Sequence, residues 1–113
     1  MYKMEENKFE QWLAEEVKRF RENTPKDTWE GQQYIKLAKE VEDLERNFPV
    51  FANKKEVSDY GLKIFHTMEL AARFNQMAFL GDFGENSSKY GILSEELEQR
   101  LDVLYRKSLV MER

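Results

Sequence analysis

A chain of 113 residues, 41% of them apolar and 35% charged, is long enough for one packed domain and too apolar for a disordered polymer. Its net charge of −4 is mild and of the wrong sign for a nucleic-acid partner. It contains no cysteine, which removes disulfides, thiolate catalysis and cysteine-ligated zinc and agrees with a cytoplasmic location.

The first ten residues are charged, so no cleavable leader is expected. No run approaches the ~20 apolar residues of a membrane span, so no membrane partner is expected either. The first helix is predicted over about Lys3 to Asn23. Phe9, Trp12, Leu13, Val17 and Phe20 recur at spacings of three and four. Acids (Glu5, Glu6, Glu10) lead this segment and bases (Lys18, Arg19, Arg21) close it, complementing the helix dipole. Thr24-Pro25-Lys26-Asp27 reads as a cap and restart. A second helix follows to near Asn47, with Tyr34, Leu37, Ala38, Val41, Leu44 and Phe48 as its stripe. Gly31 weakens its first turns by roughly 1 kcal/mol relative to alanine, which suggests a start beyond it.

Pro49 ends that helix, and Asn53-Lys54-Lys55-Glu56 resembles a capping box for the third. This helix, to Leu80, carries Val57, Gly61, Ile64, Met68, Ala71, Asn75 and Ala78 on one seam and stops at Gly81. Residues Gly81 to Leu93 read as a loop of glycines, serines and two aromatics. Ser94 reads as the cap of a last helix with Leu97, Leu101, Leu104 and Ser108 inside. No stretch alternates with period two. The expectation is an all-α fold: residues 1–113 as one helical domain, a four-helix bundle with a long central third helix and up-and-down connections.

The third helix would be about 42 Å long, against roughly 35 Å for a compact globule of this size. Its seam of small residues with Asn75 therefore suggests a homo-oligomer contact formed by Val57, Gly61, Ile64, Met68, Ala71, Asn75 and Ala78.

The chemistry-bearing residues are sparse. His66 is the single histidine; with Glu69 it supplies one pair where a carboxylate-bridged dimetal bundle needs two, so neither metal nor cofactor is expected. A dimer bringing two His66 together would be the route to an enzyme or metal site. Arg73 is followed by Asn75 and Gln76 but by no histidine, which leaves helical ribonuclease chemistry without support. Gly81-Asp82-Phe83-Gly84 lacks the lysine of a phosphate loop. Ser87, Gly91, Ile92 and Leu97 loosely resemble the turn of a helix-turn-helix. A DNA-binding regulator using residues 68–105 would, however, present Glu95, Glu96 and Glu98 to phosphate. The preferred expectation is a non-catalytic protein–protein interaction module, a small adaptor, regulator or inhibitor that also self-associates. Its partner is a protein, met through Asp82, Phe83, Glu85 and Tyr90.

Overall fold

The computed structural model describes the backbone of residues 2–111 and the side chains of residues 7–110. The expected roles of Glu5 and Glu6 lie outside those side chains. The described residues are 84% helical and form an all-α helical bundle. Among the described residues there are four α-helices and no strand: α1 (Tyr2–Glu22), α2 (Trp29–Arg46), α3 (Lys54–Phe79) and α4 (Ser87–Met111), with a single 3-10 turn at Gly84–Asn86.

Local chemistry sets each boundary. The Thr24 hydroxyl donates to the Phe20 and Arg21 carbonyls and closes α1, so Thr24 is not the cap of α2. That cap is Thr28, whose side chain accepts from the Gly31 N–H. Gly31 thus belongs to the first turn of α2, inside the helix. A Cβ there would lie 1.7 Å from the Pro25 carbonyl oxygen, so the preceding turn folds over the glycine and requires it. The α3 cap is as expected: Asn53 accepts from Glu56 N–H, and Glu56 returns a bond to the Ala52 N–H. At the far end Asp82 N–H reaches Met77 O and Gly81 N–H reaches Ala78 O, with Gly81 at φ 81°, a Schellman closure.

The largest departure concerns α4. Ser94 is fully buried inside the helix and donates to Gly91 O. The helix begins seven residues earlier, at Ser87, and the expected loop shrinks to a short turn. Gly91 faces α3: a Cβ there would lie 3.7 Å from Asn75 Oδ1 and 3.8 Å from Ala78 Cβ.

α2, α3 and α4 touch one another and alternate in direction, while α1 packs its backbone closely against α4 alone. α4 is therefore the one helix that meets all the others. The core holds Tyr34, Leu37, Val41, Ile64, Phe74, Tyr90, Leu93, Leu97 and Leu101. Phe48, Phe51 and Tyr60 close one end with edge-on rings 5.4 to 5.6 Å apart, and Lys107 Nζ sits 4.2 Å above the Phe48 ring. The other end is closed by Phe20, Phe74, Phe83 and Tyr90.

The molecule is elongated, 53 × 37 × 23 Å, with a radius of gyration of 16.5 Å against ~13 Å for a compact globule of this length. α3, 26 residues and about 39 Å, fits along the long axis. The length argument for a second chain rested on a sphere, and it falls.

Candidate functional site

The seam expected to meet a second copy is occupied within the chain. Ile64 and Ala71 are fully buried, Val57, Gly61 and Ala78 are buried, and Met68 packs against the core. Asn75 faces Gly91, and Gly61 faces the Tyr105 ring at 3.8 Å. The small residues do admit a closely packed helix, and that helix is α4 of the same chain.

The loop site divides. Asp82 and Glu85 are exposed. Tyr90 is 1% exposed and Phe83 is half-buried, with ring centroids 5.4 Å apart and both rings packed on Phe74. The two rings seal the core, and the carboxylates remain at the surface without them. The helix-turn-helix resemblance also loses its turn, since α4 runs unbroken through Gly91, Ile92 and Leu97.

His66 is exposed on the side of α3 that faces α2, next to Glu40. Among the described residues, no group of three or more histidine, aspartate or glutamate side chains is arranged to hold a metal ion.

The structure instead places a groove between α2 and α3. The α2–α3 contact is sparse, whereas α3 and α4 pack closely along their length. A depression of about 390 Å³ is floored by Leu37, Leu70, Phe74 and Met77 and walled by Trp29, which is 55% exposed. It shares Glu40 and His66 with a second depression of about 490 Å³ that reaches Asn47 and Pro49. Together they follow the whole of α2, 18 residues or about 27 Å. Lys36, Lys63, Arg73, Glu40 and Asp43 stand along the rim. Among the described residues none of these five takes part in an ion pair.

The ion pairs lie elsewhere, and two of them tie α4 to its neighbours. Arg21 of α1 pairs with Glu96, and Glu45 of α2 accepts Arg100 Nε at 3.0 Å. Arg100 donates to the Glu45 carboxylate and holds its pKa below the ordinary value. Burial, followed by the neighbouring Glu95, pushes the Glu98 carboxyl up. Tyr34, Tyr60 and Tyr90 are raised, chiefly by burial.

The groove was not anticipated. Leu70 and Met77 sit off the main seam of α3, and Trp29 directly follows the Thr28 cap. That off-seam apolar spacing is the one trace it leaves in the sequence. Among the described residues no helix is long and apolar enough to cross a membrane. Comparisons with protein-family models, with curated proteins and with solved structures gave no match.

Proposed function

We propose that this chain is a non-catalytic protein–protein interaction module, a small adaptor, regulator or inhibitor of the cytoplasm, and that its docking surface is the α2–α3 groove. The observation that carries this reading is the groove itself: an apolar floor open to solvent along two helices, with charged rim residues that have no ion-pair partner among the described residues. Its length suits a helix better than a small molecule, which is commonly enclosed over most of its surface. A ligand helix would place apolar residues at three- and four-residue spacing on the floor and polar residues against the rim. Trp29 is the natural anchor, since large aromatics dominate binding energy at interfaces. Met77 gives a floor that adapts to the shape laid on it.

The test is site-specific photo-crosslinking in living cells. A photoreactive side chain at Leu70 on the floor is expected to give a discrete protein adduct. The same group at Val103, exposed on α4, is expected to give none. Equal labelling at both positions, or none at Leu70, would refute the groove as a docking surface.

A further inference from the structure

Helix α1 is incompletely used by its own bundle. Burial along its apolar stripe falls toward the N-terminus: Val17 is 4% exposed, Leu13 and Phe20 are half-buried, Trp12 is 55% and Phe9 59% exposed. The Phe9 and Trp12 rings lie 6.0 Å apart and face each other at a tilt, three residues apart on one helix. Such a pair has the spacing of anchors on a groove-binding helix. Around it, residues 7–16 carry Glu10, Glu15 and Glu16 against a single base, Lys8.

The α2–α3 groove has the complementary chemistry. At its Trp29 end the rim carries two cations, Lys36 and Arg73, against one acid, Glu40, above an apolar floor. We infer that the occupant of this groove is α1 of a second copy of the chain, inserted reciprocally so that each protomer gives its Phe9–Trp12 pair and receives its partner's. This rests on the groove being a docking surface, and it names the partner.

Area explains why the exchange is reciprocal. A buried aromatic removes about 150–250 Å² from water, and roughly half of that remains exposed on Phe9 and on Trp12. One insertion, counting both sides, therefore buries about 300–500 Å², far below the size of specific interfaces. Two symmetric insertions reach about 600–1,000 Å², which approaches the ~1,000 Å² threshold of a biological contact and fits a dimer that forms at high micromolar concentration. The contact is isologous and closes at two copies.

Charge reversal on the full-length chain tests the arrangement. The wild type is expected to show twice its 13.6 kDa mass by light scattering at high micromolar concentration, and less association as salt rises. The groove variant Lys36→Glu/Arg73→Glu and the helix variant Glu15→Lys/Glu16→Lys are each expected to be monomeric, with dissociation constants raised about tenfold or more by like charges brought together. An equimolar mixture of the two variants is expected to dimerise, because both insertions then pair opposite charges. The quadruple variant is expected to dimerise alone. Trp12→Ala, at an exposed position, is expected to give a monomer with unchanged circular dichroism. A monomeric wild type, a dimer that survives either single-sided reversal or Trp12→Ala, or a mixture that stays monomeric would each overturn the inference. A monomeric wild type whose Leu70 crosslinks to another protein would sink this inference while leaving the groove standing. A Leu70 adduct of twice the chain mass supports both.

Discussion

Tyr90 is the residue on which the packing can be tested most sharply. It is 1% exposed, and its ring centroid lies 4.8 Å from Phe20, 6.3 Å from Tyr34, 5.5 Å from Phe74 and 5.4 Å from Phe83. Those neighbours come from α1, α2, α3 and the turn before α4, so one ring joins every part of the fold. Truncating an aromatic in such a site costs about 3–5 kcal/mol, since the surrounding rings close only part of the cavity. Against the ~5–15 kcal/mol that holds a domain together, Tyr90→Ala removes from about a fifth of the stability to nearly all of it. At about 4 °C per kcal/mol for a chain of this size, its melting point falls by roughly 12–20 °C. Tyr90→Phe separates ring from hydroxyl. The hydroxyl is buried beside Thr28 and has no well-formed hydrogen bond among the described residues. Removing an unsatisfied hydroxyl is neutral or stabilising, so Tyr90→Phe is expected within about 1 kcal/mol of wild type or above it. Urea denaturation followed by far-ultraviolet circular dichroism reads both variants. A Tyr90→Ala loss below about 1 kcal/mol, or a Tyr90→Phe loss equal to it, would refute the assignment of this ring as the junction of the core.

Gly31→Ala discriminates between propensity and packing. Helix propensity alone predicts a gain of roughly 1 kcal/mol, whereas the Pro25 carbonyl predicts a loss of about 1–3 kcal/mol by overcrowding, measurable as a lower denaturation midpoint. Glu98→Gln tests the raised carboxyl. Its ionisation costs folded-state stability at neutral pH, so the variant is expected to be the more stable at pH 7. The difference shrinks as pH falls through the raised folded pKa and vanishes below the unfolded value of 4.5; thermal melts across that range check it. Glu45 carries the opposite sign. Its depressed pKa contributes stability that is present above 4.5 and lost as pH falls through the lower folded value. A double-mutant cycle of Glu45→Gln with Arg100→Ala should therefore show a coupling of about 0.5–1 kcal/mol at neutral pH that disappears in acid. The value is small because both side chains are partly solvated.

How much of this was legible depends on what each residue was doing. The α3 boundaries were readable because capping is local: Asn53, Glu56 and Gly81 announce themselves within a few residues. The stripes of α2 and α4 were readable because both helices bury one face. Gly31, Gly91 and Ser94 misled for a shared reason. Each is small because something packs on it or it lies deep in the interior, and sequence reading takes small residues for turns and caps. The small residues of the α3 seam suggested a closely packed second copy, and the helix that packs on them is α4 of the same chain; no sequence pattern says to which chain such a helix belongs. Phe9 and Trp12 belong to a good stripe, yet a stripe does not reveal where its neighbour ends. The groove is the hardest case. It arises from the sparse contact of α2 with α3 beside the close packing of α3 on α4, a property of three helices at once.

That arrangement also has a consequence for how the protein is made. Of the four described helices α4 is synthesised after the other three, and it is the one they all touch. Until it leaves the ribosome, α3 displays Ile64, Ala71 and Ala78 to water and the rings of Phe20, Tyr34 and Phe74 lack Tyr90 between them. The α2–α3 contacts alone leave the face of α3 that meets α4 uncovered. Chains released before α4 is complete would carry that apolar face exposed, which makes premature termination here a route to aggregation or to capture by chaperones.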